Sequence, residues 1–193
     1  MTASEVIAKG GVIAFRTDTF YGLGADPFNA AAVARIRELK GRGDDKPILV
    51  LISDLAGVEK LIAGRSVQFL SAANRFWPGP LTIVGAAVNT LPEEITAGTG
   101  TVGVRLPADE SVRELVRACG GVLTATSANP SGREPARSVT EVKAYFPRGL
   151  DLIVDGGEVI ATEPSTVLDV FSSPARVVRE GAIPRNVIEQ LFA

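Results

Sequence analysis

The stretch from Asn29 to Ile52, NAAAVARIRELKGRGDDKPILVLI, places a helix, a charged loop and a strand in immediate succession. Asn29 can cap a helix over Ala30–Lys40, because its short side-chain oxygen accepts from a free amide of the first turn. Val33, Ile36 and Leu39 share one face of that helix, while Arg35, Arg37 and Glu38 lie elsewhere. Gly41 ends it. Ile48 to Ile52 are five apolar residues without alternation, the pattern of a strand buried on both faces. The loop between them, Lys40-Gly41-Arg42-Gly43-Asp44-Asp45-Lys46-Pro47, is therefore pinned between a helix end and a core strand. Strand edges of this kind usually carry the ligands of α/β folds.

Outward from this unit, strand and helix patterns alternate along the whole chain, the α/β signature. Strands are predicted at Val12–Phe15, Leu81–Val84, Thr101–Leu106, Val122–Ala125, Leu152–Asp155, Ser165–Val170 and Arg176–Arg179, about eight in total. Helices are predicted at Ser4–Lys9, Ser66–Phe76, Ser111–Cys119, Thr140–Phe146 and Pro184–Phe192. Hairpin-like pairing near Ser165–Arg179 beside crossover units predicts a mixed sheet rather than a purely parallel one. No repeat, linker or composition break divides residues 1–193, so a single domain is expected.

Composition narrows the chemistry. The net charge is −2, so any affinity for anions must be local. The single cysteine, Cys119, cannot form an internal disulfide; no leader pattern opens the chain, and a cytoplasmic location is the expectation. No apolar run approaches the roughly 20 residues that span a bilayer, so no membrane association is expected. Histidine is absent. That removes Ser-His-Asp triads, histidine metal sites and imidazole acid–base chemistry.

Two loops stand out. Lys40, Arg42 and Lys46 put three cations within seven residues. A solvated turn paired with Asp44 and Asp45 explains such a run in isolation, but its place before a core strand suits a phosphate. Ser127-Ala128-Asn129-Pro130-Ser131-Gly132 follows another strand and offers hydroxyls, an amide and free backbone N–H groups, although turns favour these residues anyway. Arg105 lies within the apolar strand Thr101–Leu106 and needs a partner, either one of the acidic side chains or a ligand carboxylate. Trp77-Pro78-Gly79-Pro80 reads as a rigid turn that shapes a wall. Neither a G-x-x-x-x-G-K-[ST] loop nor a complete dinucleotide glycine fingerprint is present; Gly22-Leu23-Gly24 lacks the third glycine.

The succession Thr17-Asp18-Thr19-Phe20-Tyr21-Gly22-Leu23-Gly24, Lys40-Gly41-Arg42, Lys46-Pro47, Pro78-Gly79-Pro80-Leu81-Thr82, Val104-Arg105-Leu106-Pro107, Ser127-Ala128-Asn129, Ser165-Thr166-Val167 and Arg179-Glu180-Gly181 resembles the YrdC-like domain of threonylcarbamoyl-AMP synthases. The resemblance implies an α/β fold with a twisted, open mixed β-sheet flanked by helices and a large concave basic cleft. It implies synthesis of threonylcarbamoyl-AMP and pyrophosphate from L-threonine, bicarbonate and ATP, with Mg²⁺ carried by the ATP and no metal site of the protein's own. The product would pass to a tRNA threonylcarbamoyl transferase complex that makes N6-threonylcarbamoyladenosine, and direct tRNA contact is left open.

By matching position, Arg42, Lys46, Thr101, Ser127 and Arg179 would hold ATP, with a backbone contact near Pro135 and Asn129 in the adjoining Ser-x-Asn element. Thr19, Arg105, the backbone at Ala125 and Ser165 would hold threonine. Lys40 and Arg42, the Lys-x-Arg pair, would cancel charge during the reaction. Two departures are visible: Arg16 replaces a frequent proline, and Leu51 stands where some members have a histidine near threonine. The second C-terminal domain of longer synthases has no counterpart in these 193 residues. The alternatives are an RNA-binding module without synthase activity and a carbamoyl-phosphate-using carbamoyltransferase relative. An aromatic content of 6% disfavours a base-stacking platform, and the usual length of the carbamoyltransferases disfavours the other.

Overall fold

The computed structural model describes residues 1–41, 47–161 and 163–192. Among the described residues, ten strands form two mixed sheets rather than one. The first has the order β7-β2-β1-β8, built from β1 (Ile13–Arg16), β2 (Tyr21–Gly24), β7 (Thr126–Ser127) and β8 (Leu152–Val154). The second has the order β10-β9-β4-β5-β3-β6, from β3 (Val50–Ile52), β4 (Leu81–Ala86), β5 (Thr101–Arg105), β6 (Val122–Thr124), β9 (Thr166–Asp169) and β10 (Arg176–Arg179).

The predicted unit around the charged loop forms as read. The Asn29 side chain accepts from the Ala32 amide at 3.0 Å, α2 runs Ala30–Lys40, and Gly41 closes it in the left-handed region at φ 60°. Only glycine adopts that angle without a Cβ penalty. Arg42 and Lys46, both expected to touch ATP, lie outside the described residues.

Two strands escape the sequence reading because glycine and brevity hide them. β2 is Tyr-Gly-Leu-Gly, and it pairs antiparallel with β1 so that Phe15 faces Gly22 and Ile13 faces Gly24. A Cβ on Gly24 would fall 2.8 Å from the Phe15 ring. The glycine that lowers strand propensity is what lets that ring pack. β7 is two residues long, set by its pairing with β2.

The remaining helices are α1 (Ala3–Ala8), α3 (Ala56–Leu61), α4 (Val67–Phe76), α5 (Glu93–Thr96), α6 (Glu110–Ala118), α7 (Val139–Tyr145) and α8 (Arg185–Glu189). A large core joins the second sheet to α3 and α4 through Val58, Leu61, Phe69, Ile83 and Val104. A smaller one, with Val6, Phe15, Val116 and Leu123, packs α1 and α6 against β1, β3 and β6. Both cores draw on the two sheets, Ala14 and Leu23 with Val50 and Ile83 in the large one and Phe15 with Leu51 and Leu123 in the small one, and residues of both sheets line a cleft.

Candidate functional site

The floor of the cleft is one face of the second sheet. Register aligns Thr82 with Val167 and Leu51 with Arg105, and the β4–β5 pairing of Ile83 with Val104, carried on by one residue, sets Thr82 beside Arg105. A second row runs from Asp169 to Val84 to Gly103. Leu51, Thr82, Val84, Gly103, Arg105, Val167 and Asp169 all line a cleft of about 620 Å³. The opposite wall comes from the first sheet and its loops, including Thr17, Phe20, Tyr21 and Ser127.

Arg105 is the principal fixed charge of the floor, 2% exposed. Its Nε donates to Gly79 O at 3.0 Å, its Nη2 to Asp18 at 2.5 Å, and its Nη1 makes a long 3.4 Å contact with Thr19 Oγ1. Burial pushes the guanidinium below the usual arginine value, and the Asp18 carboxylate opposes that shift. The proline turn Trp77–Pro80 thus does more than shape a wall, since it presents the Gly79 carbonyl to Arg105. Asp18 was hidden from sequence reading because 87 residues separate it from its partner. Its other oxygen is buried without a partner among the described residues.

Thr17 builds the turn that carries these groups. Its hydroxyl donates to Phe20 O at 2.6 Å and accepts from the amides of Thr19 and Phe20, both at 3.2 Å. A threonine bonding its own following backbone is a turn device. At the mouth, the Arg137 guanidinium sits 5.8 Å from the Phe20 ring centroid.

Of the expected site residues, Thr19, Arg105, Ala125, Ser127, Pro135, Ser165 and Arg179 all line this one cleft. Thr101 lies on the same face of β5, two residues beyond Gly103, and is outside the lining. Lys40 and Asn129 are also outside it. Lys40 is 2% exposed; its Nζ donates to Ser127 O, to Asn129 O at 2.9 Å and to Asn129 Oδ1 at 3.3 Å. In return Ser131 N donates to Lys40 O at 2.8 Å. The Asn129 amide nitrogen donates to Pro130 O and Arg133 O at 3.1 and 2.6 Å. These two side chains therefore tie the end of α2 to the Ser127 loop instead of facing the cavity.

The charged groups among the described lining residues are Arg105, Arg179, Glu134 and Asp169. The Asp169 carboxylate is occupied by Ser172 and by the Phe171 and Ser172 amides at 2.7–3.1 Å. Among the described lining residues the charges balance, two cationic and two anionic, and Arg42 and Lys46, on which the expectation of a basic cleft also drew, lie outside the described residues. No cluster of metal-ligating side chains occurs among the described residues, and no helix among them is long and apolar enough to cross a membrane. Such a pocket suits a ligand with an anionic head on Arg105, apolar atoms on Leu51 and Val84, and a second anionic part toward Arg179 and Ser127.

Comparison with known proteins defines the class. Residues 5–181 match the family model Sua5_yciO_yrdC, described as telomere recombination, and the chain belongs to this family. A threonylcarbamoyl-AMP synthase of Pyrococcus abyssi is 38% identical over 190 residues, 98% of this chain and 56% of that protein. One from Halorhodospira halophila is 38% identical over 154 residues, 80% of this chain and 81% of that protein. The crystal structure of P. abyssi Sua5 complexed with L-threonine superposes with a TM-score of 0.94 at 37% identity, over 99% of this chain and 56% of that one. The chain thus spans about half the length of the Pyrococcus relative. These names favour neither the RNA-binding nor the carbamoyltransferase reading.

Proposed function

We propose that this chain is an L-threonylcarbamoyladenylate synthase, a nucleotidyltransferase that converts L-threonine, bicarbonate and ATP into threonylcarbamoyl-AMP and pyrophosphate for tRNA modification. The observation that carries the reading is the convergence of Thr19, Arg105, Ala125, Ser127, Pro135, Ser165 and Arg179 on one cleft between the sheets. The synthase names of two relatives that are 38% identical, one of them matched over four fifths of its length, support it. In this reading Arg105, braced by Asp18 and Gly79 O, receives the threonine carboxylate. Ser127, Arg179 and the loop carrying Arg42 and Lys46 receive the phosphates, with Mg²⁺ arriving on the ATP.

The neutral threonine amine adds to the bicarbonate carbon, water leaves, and a carbamate forms. A carbamate oxygen then attacks the α-phosphorus and pyrophosphate departs. Two anions must meet, so the protein's work is alignment and charge cancellation; no imidazole is available as acid or base. Lys40 contributes by holding the Ser127 loop rather than by touching substrate. The product passes to a tRNA threonylcarbamoyl transferase complex in the cytoplasm.

Purified chain with ATP, Mg²⁺, bicarbonate and L-threonine is expected to release pyrophosphate, and omission of any one component to stop it. Release that is indifferent to threonine overturns the reading. Gly103→Val provides a steric check. An added Cβ meets Thr82 Cγ2 at 3.1 Å, so Thr82 must give way slightly, and the new side chain stands on a row that lines the cleft. A β-branched residue suits a strand, so the variant should fold with a lowered melting temperature while pyrophosphate release falls at least about tenfold. Unchanged turnover in that variant would place the reacting ligands elsewhere.

A further inference from the structure

Ser165 immediately precedes β9, and its hydroxyl is gripped from two sides. Arg179 Nη2 donates to Ser165 Oγ at 3.2 Å, and Thr82 Oγ1 lies 2.9 Å from the same atom. Arg179 also fixes the Ser165 carbonyl, through Nη2 at 2.8 Å and Nε at 3.3 Å. Thr82 is 3% exposed on the floor of the cleft, and Ser165 is the hydrogen-bond partner of its hydroxyl.

A hydroxyl gives one proton and receives at two lone pairs. Both hydroxyls line the cleft and each residue is 3% exposed, so the contact alone allows either direction and a bound ligand selects one: a carboxylate against Ser165 needs a proton donor there. Donation from Thr82 to Ser165 meets that need. Thr82 gives its proton to Ser165, Arg179 takes the other lone pair, and the Ser165 proton is left for the cleft that Ser165 lines. Two donors on one oxygen also polarise it, which strengthens the bond it makes in turn.

We propose that Thr82 is a positioning residue for the amino-acid half of the site: its hydroxyl fixes Ser165 as a donor to a carboxylate oxygen of the bound amino acid, alongside Arg105. The inference rests on the function proposed above. Thr82 touches Ser165, and its influence on the ligand passes through that contact. Thr82→Val removes the hydroxyl at nearly constant shape in a strand position, and Thr82→Ser keeps the hydroxyl while removing the methyl.

Calorimetric titration of the whole chain with L-threonine, and separately with ATP, tests this. Thr82→Val is expected to weaken L-threonine about tenfold, the scale of one charge-assisted hydrogen bond, and to leave ATP within about twofold. Thr82→Ser should bind L-threonine within about twofold of the parent. In a Ser165→Ala background, Thr82→Val should add no further loss, the non-additivity of two groups acting as one unit. A purely structural role would lower the melting temperature without this pattern. Should Thr82→Val not fold, Thr82→Ala takes its place in the same comparisons. Parent-like L-threonine binding by the hydroxyl-free variant, or a full additional loss in the Ser165→Ala background, overturns the inference alone. A parent chain that binds no L-threonine overturns both the inference and the proposed function.

Discussion

Arg105→Ala is expected to abolish measurable L-threonine binding and to cost the fold about 3–5 kcal/mol, because it strands the Asp18 carboxylate without its counter-charge. The pair is close, at 2.5 Å, with Arg105 2% exposed and the Asp18 side chain 19% exposed. The two effects can be separated. Changing both partners, with Arg105→Met and Asp18→Asn together, removes the charges without leaving one buried alone, so most of the stability should return. Threonine binding should not return, since the anion receptor is gone. Denaturant unfolding and calorimetry on the same samples check this. A double variant that regains both stability and binding would show that Arg105 is only a structural brace.

Lys40→Met should separate nucleotide from amino acid. The ammonium holds Ser127 O and both oxygens of Asn129, and hydrogen bonds to a charged donor are worth about 1.5–3 kcal/mol each. Without it, residues 127–131 keep the backbone bond from Ser131 N to Lys40 O but lose the side-chain clamp. ATP affinity is expected to fall more than about tenfold and L-threonine affinity to change by less than about threefold. Amide exchange in residues 127–131 should accelerate, while the floor strands β4 and β5 stay protected. Retained ATP affinity with an unchanged exchange pattern would contradict the clamp. A lost turnover with intact binding and intact protection would instead return Lys40 to the reacting centre.

The legibility of the molecule follows the range of its interactions. α2 could be read to its last residue because cap, apolar face and terminating glycine are all local in sequence. β3 was readable from its unbroken apolar run, although its observed span begins at Val50 rather than Ile48. β2 was not readable, since its glycines make sense only against the Phe15 ring on the neighbouring strand. α3 and α5, six and four residues long, are too short to declare a period.

The site divides in the same way. The need of Arg105 for a partner could be argued from an arginine within an apolar strand, but Asp18 as that partner could not. The family resemblance supplied positions that converge on the cleft, such as Ser165 and Arg179. It also supplied Lys40 and Asn129, whose side chains the structure turns into the loop between them. Thr82 closed one of the motifs that carried the family resemblance but drew no role from it, and Gly103 gave no signal beyond a strand pattern. Their meaning comes from register, which sets them on the floor beside Arg105 and Val84.

The most direct measurement is a crystal structure of this chain grown with L-threonine and a non-hydrolysable ATP analogue. The threonine carboxylate should lie within about 3 Å of the Arg105 guanidinium, and the phosphates should face Ser127 and Arg179 across the same cleft. Threonine seated away from Arg105, or the two ligands held in separate pockets, would contradict the assignment of this cleft as the place where an amino acid meets a nucleotide.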